Sequence, residues 1–311
     1  MAAGVDEVFG LLSRARALLG DYRFAADPVE ALCATGPAYA HRAEFHLRRL
    51  HGALGADDER FDDAIEAFVE MTVDVMRMQD RYFRTGQFDT GADAIADGGL
   101  YVDDDMMGRR YLLGLYLAQI FWPNHHEKLS YFEREVVPIA MNGIRVLEVG
   151  TGPGTYGLAV GRSVECAELM LNDISPLSID LVARLATVDP VQRPDTLHFS
   201  TADFLERDPG GSAPYDLILF SEIVEHLADP EAGLDALAKL LAPGANVFFA
   251  TATNAAFYDH TIVFETIDEI EDLLGRHGFD VISSRTILAA PGPDGRDVND
   301  YAALLRLTGA S

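Results

Sequence analysis

The residues best suited to chemistry form a glycine-rich turn between a short apolar strand and a helix. The turn spans residues 149–154, Val-Gly-Thr-Gly-Pro-Gly, and follows the apolar Val146 and Leu147. Glycines let the backbone pass close to a ligand, and the helix that starts near Thr155 presents unpaired backbone N–H groups to whatever the loop holds. Asp173 ends the next apolar strand, where a carboxylate can accept both hydroxyls of a ribose. The sequence therefore predicts a nucleoside-binding site.

A second set of reactive side chains follows a later apolar strand, in the stretch Ser221-Glu222-Ile223-Val224-Glu225-His226. This spacing places Glu222, Glu225 and His226 within one helical turn, so that all three can face one ligand. Two carboxylates so placed can grip a cationic amine or guanidinium through charge-assisted hydrogen bonds. The same residues can instead serve the fold alone, by capping a helix or orienting a loop. Both interpretations are open.

Seven candidate strands alternate with helices in the second half of the chain. The predicted strands cover residues 145–149, 168–171, 196–200, 215–220, 245–251, 280–284 and 301–307, and the predicted helices cover residues 155–163, 176–187, 230–241 and 266–277. Such alternation predicts a parallel sheet with helices on both faces. Pro and Gly residues occur in the link between the last two strands, which favours an antiparallel pair there.

The first half of the chain has helical periodicity. Apolar residues recur at helical spacing over residues 8–19, 39–54, 59–82, 106–121 and 125–139, and Gly, Asp and Ala dominate a loop at 86–99. We therefore expect an all-α domain over residues 1–141, which closes over the ligand pocket as a lid, ahead of a second domain at 142–311. The apolar helix at 111–122 exceeds what a lid needs and favours a homodimer. The junction, either a packing joint or part of the lid, contains Trp122, Asn124, His125 and His126.

The composition is strongly acidic, with 50 Asp and Glu against 24 Lys and Arg and a formal net charge of −26. This balance argues against phosphate backbones and anionic membrane surfaces, so we expect a small-molecule substrate, no nucleic acid and no membrane partner. Two cysteines, Cys33 and Cys166, are too few for a disulfide framework or a thiolate metal cluster. No apolar run approaches the ~20 residues of a membrane span, and no signal peptide is evident. A cytoplasmic location is the expectation.

From residue 145 onward, these motifs resemble those of class I S-adenosylmethionine-dependent methyltransferases. Residues 146–154, Val-Leu-Glu-Val-Gly-Thr-Gly-Pro-Gly, are similar to the first motif of that family, residues 201–204 to its adenine segment, and residues 215–222 to its fourth motif. The resemblance implies a Rossmann-like sheet of seven mostly parallel strands with the last one antiparallel. It implies S-adenosylmethionine as methyl donor and S-adenosylhomocysteine as product. The residues that the resemblance implies for binding the methyl donor are Glu148, Gly150, Thr151, Gly152, Gly154, Asp173, Ile174, Ala202, Asp203, Phe204 and Ser221.

The resemblance also separates this site from that of a nicotinamide dehydrogenase. Such an enzyme shares the glycines and the acid that ends the second strand. It does not share the ordered combination of Glu148, Asp173, Asp203 and an acidic fourth motif. In the methyltransferase family, the position of Asp203 faces the exocyclic amine of adenine.

The acceptor chemistry is open between alternatives. We expect catalysis by Glu222, Glu225, His226 and His260, in methylation of a heteroatom of a small polar metabolite, including cationic amines and guanidines. We place nitrogen ahead of oxygen, in specialised biosynthesis. Residues 259–265 resemble the distal-histidine segment of metal-dependent small-RNA 2′-hydroxyl methyltransferases. This implies an alternative, in which the same four residues bind Mg²⁺, Mn²⁺, Fe²⁺ or Zn²⁺ for O- or C-methylation. A non-catalytic nucleoside-binding module is a further alternative.

Overall fold

The structure of the protein is a computed structural model, which describes residues 9–87, 103–211, 214–257 and 259–308. The N-terminal part is helical, with α1 (Gly10–Leu19), α2 (Arg23–Ala34), α3 (Pro37–Ala53), α4 (Asp58–Thr85), α5 (Leu112–Phe121) and α6 (Pro123–Tyr131). A π-helical stretch, Asp104–Tyr111, leads directly into α5. After α6 come a second π-helical turn, Phe132–Val136, and a 3₁₀ turn, Val137–Ile139.

Helix α4 shows how the local sequence sets helix ends. At its start, the Asp57 side chain accepts hydrogen bonds from the backbone N–H groups of Glu59 and Arg60, so it caps the helix. At its end, Gly86 adopts a left-handed conformation with φ of 67°, which glycine adopts without steric cost. Residues 88–99 of the predicted loop lie outside the described part of the chain.

Helix α2 was not predicted, and it contains Pro28, which is unfavourable within a continuous helix. Its buried residues Ala25, Val29 and Leu32 nevertheless recur at helical spacing and pack against the core. Tertiary packing therefore outweighs the local cost of the proline at this position.

Helix α5 is apolar because it is buried inside the chain. Its buried side chains are Leu112, Leu113, Tyr116, Leu117, Ala118, Ile120 and Phe121. The apolar surface that favoured a homodimer is thus covered by this chain's own residues, and an interface between copies would need another surface. Among the helices that the structure describes, none combines the length and the apolarity needed to cross a membrane.

The C-terminal part contains the predicted seven-stranded sheet. Its strands are β1 (Arg145–Val149), β2 (Glu168–Asn172), β3 (Leu197–Ser200), β4 (Tyr215–Ser221), β5 (Leu241–Thr253), β6 (Phe279–Ala290) and β7 (Val298–Leu307), in the order β3-β2-β1-β4-β5-β7-β6. Strand β7 runs antiparallel to β5 and β6, and the other neighbours pair in parallel. The covering helices are α7 (Thr155–Ser163), α8 (Pro176–Val188), α9 (Pro230–Leu240) and α10 (Ile267–Arg276). The predicted fold class is confirmed.

Two apolar cores lie on opposite faces of the sheet. One combines residues of β4 and β5 with α9 and α10. The other passes without a break from the sheet into the N-terminal helices. The rings of Phe132, Tyr156 and Phe248 join the two parts, with centroids 4.8 to 5.0 Å apart. The domain boundary predicted between residues 141 and 142 stays a prediction, because apolar packing continues between the two parts.

The candidate functional residues lie at one edge of the sheet, where the carboxyl ends of the parallel strands meet. The parallel strands β1, β2, β4 and β5 all end at this edge, and the antiparallel β7 begins there. In sheets of this type, ligands bind outside the carboxyl ends of the strands. The topology therefore brings residues that are far apart in sequence to one place.

Candidate active site

The glycine-rich turn after β1 has the backbone that its glycines permit. Gly150, Gly152 and Gly154 have φ values of 64°, 48° and 69°, in the left-handed region. At Gly150 a Cβ would also lie 1.9 Å from the Cδ1 of Ile223. This position therefore requires glycine both for its backbone conformation and for the close approach of the segment after β4.

Glu148 holds this turn from the end of β1. Its carboxyl group accepts hydrogen bonds from the Thr151 hydroxyl and, at 3.2 Å, from the backbone N–H of Gly157. The side chain is almost fully buried, at 4 % exposure, and burial raises its pKa to about 8. Glu148 therefore shapes the loop, and it also contributes to the wall of the cavity beyond the loop.

Asp173, just after β2, binds the same turn from the other side. Its Oδ2 accepts a hydrogen bond from the backbone N–H of Gly152 at 2.8 Å, and its Oδ1 accepts one from Ser175 at 2.8 Å. Burial raises the pKa of this carboxyl group. Because a carboxylate oxygen can accept more than one hydrogen bond, Asp173 retains capacity for ligand hydroxyls.

The segment after β3 is fixed by Asn172, the last residue of β2. Its Nδ2 donates to the carbonyls of Ser200 at 3.2 Å and Ala202 at 2.9 Å. This fixes the approach to Asp203, which lines the cavity together with Ile174. Ile174 is 49 % exposed. An exposed apolar side chain and a carboxylate together offer a planar base a stacking surface and a hydrogen-bond acceptor.

The structure brings most of the predicted donor residues to one cavity wall. Those that line it are Glu148, Gly150, Thr151, Gly152, Asp173, Ile174, Asp203, Phe204 and Ser221. Gly154 and Ala202 do not line the cavity. Gly154 instead allows α7 to approach α8, since a Cβ there would lie 2.8 Å from the side chain of Val182.

Glu222 follows β4 and pairs with a cation of the chain itself. Its Oε1 accepts a hydrogen bond from the Nζ of Lys128 at 2.9 Å, and the same Nζ lies 3.0 Å from Oδ2 of Asp300. Lys128 has 0 % exposure. Burial alone lowers the pKa of Lys128, but the carboxylates of Asp300 and Glu222 outweigh it and the pKa is raised. Asn124 completes the group by donating to Asp300 at 3.1 Å.

The backbone of Glu222 also differs from the predicted helical turn. Its φ is 55°, an uncommon value for a residue with a side chain, and its N–H donates to the carbonyl of Ala250 at 2.8 Å. The following 3₁₀ turn spans Val224–His226. Only Glu225 and His226 therefore share a helical turn, and Glu222 turns toward Lys128.

A cluster of three ligand-type side chains is formed by Glu225, His226 and His260. One atom from each lies within 4.8 Å of the other two. Oε2 of Glu225 accepts a hydrogen bond from the Thr251 hydroxyl at 2.9 Å, whereas Oε1 is buried and lacks a partner among the described residues. A buried carboxylate oxygen without a partner, beside two imidazoles, supplies ligand atoms of the kind that a divalent cation binds. Three of the four predicted metal ligands thus lie together, without Glu222.

Both histidines of the cluster are oriented by their second ring nitrogen. Nδ1 of His226 lies 3.0 Å from the carbonyl oxygen of Asp259, and Nδ1 of His260 lies 3.1 Å from that of Ala255. In neutral rings these contacts assign the proton to Nδ1, so that Nε2 is the nitrogen available to a metal. Metal-binding histidines characteristically donate through the other nitrogen in this way. The residues therefore fit a divalent cation.

Asp259 connects this cluster to Tyr111 in the helical part of the chain. Oδ1 of Asp259 lies 3.4 Å from Nδ1 of His226, and its Oδ2 accepts a hydrogen bond from the Tyr111 hydroxyl at 2.9 Å. Burial alone lowers the pKa of His226, but Asp259 and Glu225 outweigh it and the pKa is raised. Burial raises the pKa of Glu225 to about 8 and lowers that of His260 to about 4.

Most of the predicted donor residues, together with His226 and His260, face one cavity of about 950 Å³. This volume is at the upper end of the roughly 300–1,000 Å³ typical of small-molecule sites, so it can hold a donor and a second molecule. Of the four junction residues, Trp122, Asn124 and His125 line the cavity. His126 instead packs against Tyr39, with ring centroids 5.1 Å apart.

Sequence reasoning missed several residues of this site, above all Lys128, Asp300 and Tyr111. One signal for Lys128 was available, because it is one of only two lysines in the chain and lies within a predicted helix. Tyr111 and Asp300 carry no local signal, since their roles depend on which strand and helix the fold brings to the same edge.

Comparison with known proteins identifies the family. Residues 121–284, more than half of the chain, match a family described as "Methyltransferase domain". A ubiquinone biosynthesis O-methyltransferase of Xylella fastidiosa (strain 9a5c) is 36 % identical over 132 residues, which cover 42 % of this chain and 50 % of that protein. One from Vibrio atlanticus (strain LGP32) is 34 % identical over 109 residues, covering 35 % and 44 %. The chain spans about half the length of the curated relatives it matches.

A solved structure with a similar fold is that of the N-methyltransferase NodS from Bradyrhizobium japonicum WM9 in complex with S-adenosyl-L-homocysteine. It has a TM-score of 0.48 and 15 % identity, and the match covers 71 % of this chain and all of the other. A similarity of this strength says nothing about the substrate of this chain. The matched family, the confirmed sheet and the predicted donor residues along one cavity agree. The chain belongs to the methyltransferase-domain family, which confirms the resemblance to class I S-adenosylmethionine-dependent methyltransferases.

Proposed function

We propose that this enzyme methylates a hydroxyl oxygen of a small-molecule acceptor, assisted by a divalent cation at Glu225, His226 and His260. The observation that carries the proposal is the cluster itself, with its ligand atoms within 4.8 Å and a partnerless carboxylate oxygen on Glu225. The names of the curated relatives, ubiquinone biosynthesis O-methyltransferases, support oxygen as the acceptor atom.

Methyl transfer requires the protein to position the acceptor oxygen and to allow removal of its proton. An acceptor oxygen bonds to the methyl carbon as the S–CH₃ bond breaks and the sulfur keeps the electron pair, and the hydroxyl proton passes to a base or to solvent. Because the sulfonium already activates the methyl group, alignment of the oxygen is the main requirement. A divalent cation would lower the pKa of a hydroxyl bound to it. His226 and His260 line the cavity and would hold that cation.

For the methyl donor, we propose that Asp173 accepts the ribose hydroxyls and that Asp203 meets the exocyclic amine of adenine. Ile174, which is half-exposed on the cavity wall, supplies an apolar surface to the base. Gly150 and Gly152 let the backbone approach the donor, and Glu148 fixes the loop that carries them. Ser221 lines the cavity at the end of β4, beside Glu222.

Nitrogen methylation of a cationic amine or guanidine is the second candidate. In its favour, Glu222 lines the cavity and its side chain keeps 32 % exposure while bonded to Lys128. Against it, a buried ammonium of the chain already pairs with this carboxylate. A substrate cation would share Glu222 with Lys128. We therefore place oxygen ahead of nitrogen as the methylated atom, which reverses the order predicted from sequence.

The test combines metal analysis with an acceptor panel. Purified protein is assayed for methyl transfer from S-adenosylmethionine to phenols, alcohols, amines, guanidines and 2-oxo acids, before and after chelation. We expect hydroxyl methylation that chelation abolishes and a divalent ion restores. His260→Ala should lose bound metal and activity together, whereas His41→Ala, an exposed histidine outside the cavity, should lose neither. Methylation of amines that survives chelation would instead support the nitrogen alternative.

Two further features stay proposals. We propose that residues 1–141 form a unit that closes the acceptor side of the cavity, since this part contributes Phe24, Met76 and Leu115 to its lining. We also propose a homodimer formed through a surface of this part of the chain other than helix α5, whose apolar side chains are buried within the chain. A monomeric mass by light scattering at micromolar protein concentration would contradict the dimer.

A further inference from the structure

Beyond the donor loop and the metal cluster, the cavity continues as a chamber among the N-terminal helices. The side chains that define this acceptor chamber are Phe24, Met76, Phe83, Met107, Leu115 and Trp122. They come from α2, α4, the π-helical stretch, α5 and the α5–α6 junction. Phe24 and Met76 are exposed on the cavity side of the chain, at 37 % and 52 %. Exposed apolar side chains in a concave wall are a feature of binding sites.

Polar side chains in the chamber are already bonded within the chain. The hydroxyl of Thr72 donates to the carbonyl of Phe68 at 2.8 Å. The amide of Gln79 is used at both ends, donating to Asn254 at 2.8 Å and accepting from Ala256 at 3.1 Å. These groups therefore serve the fold and leave little hydrogen-bonding capacity for a ligand.

Asp80, the carboxylate of the chamber, is also engaged. It forms an ion pair with Arg84 one helical turn later. A cationic ligand would have to compete with this guanidinium for the charge.

Gln119 differs from these residues. Its Nε2 lies 3.0 Å from Nδ1 of His125, but its Oε1 is buried and has no partner among the described residues. The oxygen and nitrogen of a side-chain amide can exchange places by a rotation of 180°. In either orientation, one of these two atoms of Gln119 forms no hydrogen bond with the described residues. A buried polar atom without a partner costs free energy, which a ligand group can recover. The chamber thus offers one hydrogen bond within an apolar lining.

We propose that the acceptor has an aromatic or aliphatic body that lies in this chamber, with one hydrogen-bonding group opposite Gln119. The proposal rests on the proposed function for the identity of the reacting hydroxyl, and on the chamber alone for the apolar body. It differs from the small polar or cationic metabolite expected from sequence. The strongly acidic composition suggested a cation, but Asp80, which lines this chamber, is already paired with Arg84.

The experiment uses two probes that differ in one group. In 4-propylphenol a phenol carries a three-carbon chain, and in tyramine the terminal methyl is replaced by an ammonium. Trp122 lines the chamber and is the only tryptophan of the chain, so its fluorescence, excited at a wavelength that phenols absorb weakly, reports occupancy. Binding is measured by this signal and by calorimetry, with chelator present and with S-adenosylhomocysteine, so that neither metal nor methyl transfer is needed.

We expect 4-propylphenol to bind at least about tenfold more tightly than tyramine. Met76→Glu should weaken the binding of 4-propylphenol and reduce the difference in affinity between the two probes, because it places a charge on the chamber wall. Met76 is half-exposed, so the variant should fold. The matched control is Met141→Glu, since Met141 is 70 % exposed and lies outside the cavity. It should leave both affinities unchanged.

Equal or tighter binding of tyramine overturns the proposal. The proposal is also overturned if neither probe binds at millimolar concentration in both measurements. The same holds if Met76→Glu and Met141→Glu change the affinity for 4-propylphenol equally. The outcome is separate from that of the proposed function. Preference for 4-propylphenol without any metal-dependent hydroxyl methylation would reject the proposed function and keep the apolar acceptor.

Discussion

The Nζ of Lys128 lies 2.9 Å from Oε1 of Glu222, and this lysine has no exposed surface. A cation of the chain therefore occupies the place that the sequence assigned to a cationic substrate. The ammonium also contacts Asp300, so one buried lysine from α6 joins the end of β4 to the start of β7. Because Glu222 has a left-handed backbone, this contact also stabilises an uncommon conformation at the rim of the cavity.

Removal of this lysine should strongly destabilise the protein. Lys128→Met keeps the length of the side chain but leaves Glu222 and Asp300 without their buried cation. Breaking a buried pair from one side typically costs about 3–5 kcal/mol. We expect a loss of this size in the free energy of unfolding, measured by urea denaturation. Lys239→Met is the matched control, since Lys239 is the other lysine of the chain and is exposed. It should change stability by less than about 0.5 kcal/mol.

The cause of that loss can be separated from a general effect of volume. In the triple variant Lys128→Met, Glu222→Gln and Asp300→Asn, no buried charge is left without a partner. We expect part of the stability to return relative to Lys128→Met alone. A triple variant that is further destabilised would argue that the methylenes of Lys128, and not its charge, stabilise the fold.

The hydrogen bond between Tyr111 and Asp259 should control metal affinity. The carboxylate of Asp259 lies 3.4 Å from Nδ1 of His226, and Tyr111 holds that carboxylate from the helical part at 2.9 Å. Loss of such an outer partner typically costs 10–100-fold in metal affinity. Tyr111→Phe and Asp259→Asn should therefore weaken binding of Zn²⁺ or Mn²⁺ by about that factor in calorimetry on chelator-treated protein.

A control for this effect lies five residues further along the chain. Tyr116 is also buried, and its hydroxyl donates to the carbonyl of His46 at 2.9 Å, away from the cluster. Tyr116→Phe should leave metal affinity unchanged. If Tyr111→Phe also leaves it unchanged, the Tyr111 hydroxyl serves packing only.

The sequence predicted the sheet and the glycine-rich turn well because both depend on local patterns. An apolar strand that ends in Gly150, Gly152 and Gly154 leaves few conformations open, and an acid after the next strand follows from the order of the elements. Helix α2 was missed for the opposite reason. Its local signal is broken by Pro28, and packing of its buried face determines the outcome.

The acceptor side could not be predicted, because it depends on contacts between distant segments. The spacing of Glu222, Glu225 and His226 suggested one shared helical turn, but the left-handed backbone of Glu222 directs its side chain elsewhere. Its partners Lys128 and Asp300 are 172 residues apart in sequence. The apolar lining of the chamber was equally hidden, since overall composition reports the surface charge and not the charge that faces a cavity.

Asp173 should contribute measurably to donor binding. Asp173→Ala removes the carboxylate that accepts hydrogen bonds from the Gly152 and Ser175 backbones and faces the cavity. We expect the affinity for S-adenosylhomocysteine to fall by about 1–3 kcal/mol in calorimetry, since ligand hydroxyls lose a buried partner. Asp280→Ala, on the exposed side of β6, should have no effect. Equal affinity in both variants would remove Asp173 from the ribose site.

Glu148 should make folding stability depend on pH. Burial raises its pKa to about 8, far above the value near 4.3 that a glutamate has in an unfolded chain. Between these values the folded state holds a proton that the unfolded state has released, so stability falls as pH rises and is fully present only below the lower pKa. A single such group contributes a slope of up to about 1.4 kcal/mol per pH unit.

Glu148→Gln keeps the hydrogen-bonding oxygen and removes the titration. Urea unfolding of both proteins at pH 5, 6, 7 and 8 should show the free energy of unfolding of the wild type falling relative to that of the variant as pH rises. Glu225, whose pKa burial also raises to about 8, contributes equally to both proteins and cancels in the difference. The exposed Glu165→Gln should run parallel to the wild type. Parallel curves for Glu148→Gln as well would mean that Glu148 is ionised in the folded protein, and that the loop tolerates a buried charge.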